Sequence, residues 1–518
     1  MFNGSVFNNL FEVSYLPLVL ASLAGCQNQL PEKPNILFIA VDDLRPELGC
    51  YGNDHVKSPN IDQLAGEGVL FRNAFCQSAV CNPSRASLLT GLRPDATEVW
   101  DLKTNLRTTL PDVVTLPQYF KNNGYKTVCI GKIFHNIFPD SLSWSEPKIY
   151  VKGFPFDPDA GYFSDENLSY IEKRKASFIA AGNTRNLDRF GKWYIKASAT
   201  ECLNVPDNTY YDGAQTDIAV KKLEELKEYG KPFFFAVGYY RPHLPFNAPK
   251  KYWDLYQRDK IPLAKNPYIP ENMPIMAINN LRELKGYTDF RTVRHPSKGS
   301  ITEGEARLLK HGYYASVSYT DAQIGRLLDQ LEKTKLINNT IVILWGDHGW
   351  KLGEHNSWAK MTNFEIDTHV PLIIKVPGMP ENGKQCKALV EFVDIYPTLC
   401  ELSGIPVPEN LDGLSLKPLL LDVKKPWKTK VFSQFLREGI WKSPDGNPYM
   451  GYSIRTERFR YTEWYNWETK EFTANELYDH QSDQDENVNV AGHPEYNEIV
   501  RNLKRLIPCP WLQHDRFK

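Results

Sequence analysis

The chain has 518 residues, too many for one ordinary hydrophobic core, so one large and one smaller domain is the expected partition. Its 61 Lys and Arg against 62 Asp and Glu give a formal net charge of −1, which excludes the strongly basic footprint of a nucleic-acid-binding protein. Aromatic residues at 13% and 36 prolines suit a globular protein with long ordered loops, core packing accounting for most of the rings.

In chain order, residues 15–25 form an apolar run too short to span a bilayer. It ends in Leu23-Ala24-Gly25-Cys26, which resembles a bacterial lipobox, although the first basic residue is Lys33 and no charged segment precedes the run. Residues 1–25 are therefore expected to be a signal peptide and Cys26 a lipidation site. That implies export to the periplasm or the outer-membrane surface of a bacterium. No other stretch is long and apolar enough for a transmembrane helix. Of the nine cysteines, none pairs at a short spacing such as C-x-x-C, which argues against a zinc knuckle or a dense disulfide framework. One or two disulfides remain open.

Short apolar runs at 35–41, 127–130, 233–237, 340–344 and 372–376 read as buried strands. Helical patterns lie between them, and Ile324, Leu327, Leu328 and Leu331 fall on one helix face. This alternation predicts an α/β fold with a large, mostly parallel mixed sheet sandwiched by helices. Residues 140–215 lack clear periodicity and read as a long insertion, in which Lys173-Arg174-Lys175 is a solvated helix face. Beyond Leu421 the pattern changes. Runs at 431–435, 451–455 and 459–462 predict a smaller antiparallel sheet of α+β type. The expected domains are 26–425 and 426–518.

Two of these strands end in acids: the first runs into Asp42-Asp43, the fourth through Trp345-Gly346 into Asp347-His348. Ligands of open α/β sheets gather at the carboxyl ends of strands. Unpaired acids there are costly, and a divalent cation resolves the cost. Three carboxylates with few soft donors favour Ca²⁺ or Mg²⁺ over zinc. The alternative is that each acid caps a following turn.

Residues 81–91, CNPSRASLLTG, combine Cys81, a Pro two residues on, Arg85 and a Thr-Gly close behind. Taken alone, Cys81 reads as a small buried hydrophobe or a cysteine nucleophile. Lys132, His135 and His243, each taken alone, read as a surface lysine, a helix-cap contact and a structural histidine between prolines.

Together these motifs resemble the type I, formylglycine-dependent sulfatases, in which such a string marks one cysteine for oxidation. The order of Asp42-Asp43, the Cys81 string, Gly131-Lys132 with His135, Pro242-His243-Leu244-Pro245 and Trp345-Gly346-Asp347-His348-Gly349 matches that family. Gly353-Glu354-His355, Trp358-Ala359-Lys360 and the 450–456 segment look like its iduronate-2-sulfatase branch, and the likeness runs from about Asn35 to about Asp485.

The resemblance implies an alkaline-phosphatase-like fold and a sulfuric ester hydrolase acting on a sulfated carbohydrate. A 2-sulfated uronic acid of glycosaminoglycan type, or an algal polysaccharide such as ulvan, would be the substrate. It implies that Asp42, Asp43, Asp347 and His348 hold one Ca²⁺ together with Cys81 in its 3-oxoalanine (formylglycine) form. Many sulfatases have Asn where this chain has His348. By the same likeness, Arg85 and Lys132 would orient the aldehyde hydrate and Lys360 would contact sulfate. His243 would protonate the leaving alcohol, His135 would serve as base, and Arg455 would meet a substrate carboxylate. A formylglycine-generating enzyme or an anaerobic maturase would be a partner. Two other functions stand beside this one: a phosphomonoester or phosphonate hydrolase of the same superfamily, and a non-catalytic binder of sulfated glycans.

Overall fold

The protein is described here from a computed structural model, which covers Met1 and residues 33–135, 138–151, 161–184 and 195–510. The leader and Cys26 lie outside the described residues. Fifteen strands are present among them. They are β1 (Asn35–Val41), β2 (Val69–Phe75), β3 (Lys126–Gly131), β4 (Thr200–Leu203), β5 (Phe233–Tyr239), β6 (Phe246–Pro249), β7 (Thr340–Gly346) and β8 (Lys351–Leu352). The remainder are β9 (Trp358–Ala359), β10 (His369–Lys375), β11 (Gln385–Glu391), β12 (Lys430–Arg437), β13 (Tyr449–Thr456), β14 (Phe459–Asn466) and β15 (Phe472–Asp479).

Seven strands make one sheet in the order β11-β2-β10-β7-β1-β5-β3. Every neighbouring pair is parallel except those that β10 makes with β2 and β7. The central strands read as unbroken apolar runs because both faces are covered. On β1, Leu37, Ile39 and Val41 join the core beneath the helices Pro59–Glu67, Tyr211–Tyr229 and Glu303–Lys333. Ile36, Phe38 and Ala40 join a second core on the opposite face, with the helices Cys81–Thr90 and Ile395–Leu402.

Ile324, Leu327 and Leu331 are fully buried in the first core, as their spacing predicts, and Leu328 is packed at its edge. Their helix opens on a capping box in which Thr302 and Glu305 satisfy each other's backbone N–H groups. The 140–215 stretch is less irregular than its sequence suggests. It contains the helix Asp165–Ala180, on which Lys173 and Arg174 are exposed. Among the described residues no helix is long and apolar enough to cross a membrane.

The C-terminal strands form an antiparallel sheet in the order β12-β13-β14-β15, one strand more than the sequence predicts. This sheet has its own core around Met450, Ile454, Tyr461 and Leu477. It is joined to the large sheet through Glu391 at the end of β11. That carboxylate accepts two bonds from Arg93 at 2.7 and 2.9 Å, one from Lys428 at 2.7 Å and one from the Phe432 amide at 2.9 Å.

Candidate active site

Four adjacent parallel strands end at one edge of the large sheet, and each delivers a polar residue there. The ladder continues just past them: Asp42 N–H donates to Tyr239 O, Asp347 N–H to Val41 O and Lys132 N–H to Gly238 O. The close approach requires glycine. Gly131 has a φ of +74°, and a Cβ there would lie 2.0 Å from the Gly238 carbonyl oxygen. After β5 the chain turns so that His243 faces the same edge. Asp212 holds that turn by accepting from the amides of Tyr240 and Arg241.

Cys81 arrives from a different direction, as the first residue of the wholly buried helix Cys81–Thr90. Its sulfur lies 3.3 Å from His348 Nε2 and 3.6 Å from Lys360 Nζ. Burial, and then Asp42, push the thiol well above its ordinary pKa despite Lys360 and Lys132. A thiolate nucleophile is therefore disfavoured here. Lys360 follows the short β8–β9 hairpin. Asn279 fixes it by donating to the carbonyls of Trp358 and Lys360, both at 2.9 Å. Asp43, Ala359 and Met361 all take left-handed φ values, of 59°, 70° and 81°. Backbone strain of this kind collects at functional sites.

The acids and cations interlock. Arg85, with 0% exposure, donates from Nη2 to Asp42 and from Nε to Asp347, each at 2.9 Å. Its Nη1 donates to the carbonyls of Lys132 and Ile133. Lys132 Nζ donates to Asp42 at 2.6 Å, and Lys360 Nζ to Asp43 at 2.6 Å. Burial raises the Asp42 carboxyl, but Lys132 and Arg85 outweigh it and hold it well below the usual range. Asp43 goes the other way, pushed up by burial more than Lys360 and His243 pull it down.

The histidines have fixed roles in this network. His348 Nδ1 faces the Gly349 carbonyl, which only accepts, so Nδ1 carries a proton and Nε2 is the nitrogen that faces Asp43, Asp347 and Cys81. His243 Nδ1 likewise faces the Leu244 carbonyl. Its Nε2 faces carboxylates, Glu283 at 3.2 Å and Asp43 at 3.9 Å. Both ring nitrogens meet acceptors, which selects the imidazolium. Burial opposes that charge, but Asp43 and Glu283 raise the His243 pKa above the ordinary histidine value.

The donor set fits a hard divalent cation. Candidate ligand atoms of Asp43, Cys81 and His348, and of Asp42, Cys81 and Asp347, lie within 4.8 Å of one another. Asp43 Oδ2 is buried and accepts no hydrogen bond among the described residues. A second cluster, Glu365 with His480 and Glu486, has its charge met by arginines instead. Arg455 and Arg460 pair with Glu365, and Arg460 also with Glu486.

Arg455, expected to meet a substrate carboxylate, belongs to this second cluster. It is 8% exposed and pairs with Glu365 at 2.8 Å, between the C-terminal sheet and the body. His135 is half-buried and lines a small cavity together with Arg85, Arg107 and Asp140. Two participants carried no sequence signal. Glu283, which also meets Lys360 at 3.4 Å, and Asn279 lie in an aperiodic loop with no motif around them.

A model of the family described as "Sulfatase" matches residues 34–405, well over half of the chain. The chain belongs to the sulfatase family. A second model, "N-sulphoglucosamine sulphohydrolase, C-terminal", matches residues 353–509 of this sulfatase. The sulfatase is 36% identical to iduronate 2-sulfatase of Mus musculus, over 92% of its own length and 94% of that protein's. It is 32% identical to a sulfatase of Formosa agariphila, covering 92% and 87% of the two chains. Among solved structures, that of BT4656 in complex with its substrate D-glucosamine-2-N,6-O-disulfate superposes with a TM-score of 0.70 at 23% identity, covering 92% and 96%. The fold is thus the one carried by alkaline-phosphatase-like sulfatases, and the protein is a sulfuric ester hydrolase.

Proposed function

We infer that this sulfatase removes O-sulfate from a sulfated carbohydrate, with a 2-sulfated uronic acid as the substrate class. It does so with a formylglycine made from Cys81 and one Ca²⁺ held by Asp42, Asp43, Asp347 and His348. The observation that carries this reading is the buried Cys81 thiol, 3.3 Å from His348 and 3.6 Å from Lys360, at the centre of the acid cluster. The likeness to iduronate 2-sulfatase supports the substrate class.

The aldehyde hydrate supplies the oxygen nucleophile that a cysteine lacks, and Ca²⁺ supplies positive charge that favours its ionised form. The protein's own charges nearly cancel before substrate arrives, with Asp42, Asp43, Asp347 and Glu283 facing Arg85, Lys132, Lys360 and the His243 imidazolium. An incoming sulfate ester therefore needs further positive charge. Arg85 and Lys132 orient position 81, while Lys360 faces the sulfate oxygens, where charge shifts as the ester bond breaks. His243, protonated on both nitrogens, gives its Nε2 proton to the leaving alcohol. His135 would be the base for the second hydroxyl's proton, whose loss forms the aldehyde C=O as the bond from carbon to the other oxygen breaks and sulfate leaves with that oxygen.

In this reading the leader exports the protein to a bacterial periplasm or surface, with Cys26 as a lipid anchor, and a formylglycine-generating enzyme or anaerobic maturase supplies the oxidation. The test is sulfate release from defined glycosaminoglycan and algal oligosaccharides, with matched phosphate esters and a Cys81→Ala control alongside. Release that needs Cys81, together with the aldehyde at position 81 by mass spectrometry, is expected. Phosphate turnover exceeding sulfate turnover would overturn the reading.

A further inference from the structure

We propose that His355 is a positioning residue for Lys360, through which the loop after β15, residues 483–489, sets where that lysine stands in the active site. This rests on the role given to Lys360 above and adds what holds it there. His355 lies in the turn of the β8–β9 hairpin, and Lys360 directly follows β9. Four non-glycine residues of this short stretch, His355, Asn356, Ala359 and Met361, take left-handed φ values of 54°, 54°, 70° and 81°. Such a backbone persists only where its surroundings over-determine it.

Two adjacent residues of the 483–489 loop grip the chain on either side of Lys360. His355 is 2% exposed, and its Nε2 lies 2.8 Å from the Asp485 carbonyl, which only accepts, so Nε2 carries the ring proton. Burial, and then Lys351, push the His355 pKa below the ordinary histidine value, so the ring is neutral. Its Nδ1 is buried and makes no hydrogen bond among the described residues. On the far side, the Glu365 amide donates to Glu486 at 2.7 Å. Lys360 stands midway between His355 and Glu365 in the chain.

The loop is itself fixed. Asp483 accepts from the amides of Asn487 at 2.6 Å and Val488 at 2.9 Å, and the Glu271 amide donates to the Asn487 carbonyl at 2.7 Å. Asn266 completes the junction. Its carbonyl accepts from the His355 amide at 2.8 Å, and its side chain donates to Asn487 Oδ1 at 2.9 Å and to the Asp485 carbonyl at 3.3 Å. The imidazole also packs on Phe364, with ring centres 4.4 Å apart, and Phe364 on Tyr478 of β15 at 5.6 Å. A lysine is a point charge on a flexible stem, so its use at a reacting oxygen depends on where its backbone is held.

The test is a double-mutant cycle on kcat for sulfate release. His355→Phe keeps a ring against Phe364 and removes the donor to Asp485, while His355→Gln keeps a donor of similar reach. His355→Phe should lower kcat by about tenfold with KM nearly unchanged, and His355→Gln should recover part of that loss. In a Lys360→Ala background the same His355→Phe change should cost less than about twofold, whereas a residue serving stability alone would give equal losses in both. Amide hydrogen exchange over residues 358–361 should quicken in His355→Phe while β1 and β7 keep their wild-type protection. Equal losses in the two backgrounds, or unchanged exchange over 358–361, overturn the proposal. Asn266→Ala takes the same place in the cycle if His355→Phe does not fold. Absence of any Cys81-dependent sulfate release in wild type would instead mark failure of the sulfatase reading, and the exchange measurement would still decide the positioning.

Discussion

Lys360 Nζ donates to Asp43 Oδ1 at 2.6 Å, joining residues 317 positions apart in the chain. One ammonium thus neutralises an acid after β1 and also faces the Cys81 sulfur. Lys360→Ala should lower kcat by roughly 10²–10³-fold, the loss usual for one stabilising group at a developing charge. Steady-state kinetics with circular dichroism would check this. A smaller drop in kcat with intact folding would return Lys360 to a structural role.

Glu283 faces His243 Nε2 at 3.2 Å and supports its charge. A general acid with a raised pKa is competent at low pH, and activity falls as pH rises through that pKa. Glu283→Gln should therefore move the alkaline limb of the rate profile to lower pH. A Glu283→Asp enzyme should restore part of the shift, whereas a merely structural Glu283 would change amplitude and leave the limb in place.

Chelation addresses the acid cluster. EDTA treatment should remove activity and lower the melting temperature, and Ca²⁺ should restore both, since a ligand bound only to the native state stabilises it by mass action. Asp43→Asn should abolish that calcium-dependent rise in melting temperature, which calorimetry reads independently of turnover. A rise of unchanged size in the variant would remove Asp43 from the ligand set.

Glu391 binds the two sheets together with its pKa held down to about 2, where Arg93 and Lys428 overcome the effect of burial. Because the folded pKa is depressed, its contribution is complete above the ordinary glutamate value near pH 4.5 and is lost as pH falls towards 2. Glu391→Gln should cost about 3–5 kcal/mol at pH 7, the range for breaking a buried pair. The gap from wild type should narrow from about pH 5 downwards and close as pH approaches 2 in chemical denaturation. A gap that does not change with pH would assign the cost to packing alone.

The central strands were legible because burial on both faces leaves an unbroken apolar run, as on β1 and β7. Strands β2 and β11 escaped because partly exposed positions such as Arg72, Asn73, Gln385 and Lys387 interrupt the pattern nearer the sheet's margin. Acids directly after a buried strand were equally readable, and Asp42, Asp43 and Asp347 all meet at one edge. Arg455 shows the limit. A motif can say that an arginine recurs in a family of sequences, but its partner Glu365 lies 90 residues away, and only the fold reveals that pair. Glu283 is the converse case, an acid in a featureless loop whose position depends wholly on tertiary contacts.

Every residue from Cys81 to Thr90 is buried in the folded chain. Under the proposed function a maturing partner would have to reach a segment that the fold encloses, so oxidation of Cys81 and folding would compete in time. Protein that folded first would lock its thiol away, and the yield of active enzyme would then be set by which of the two events reaches the segment first.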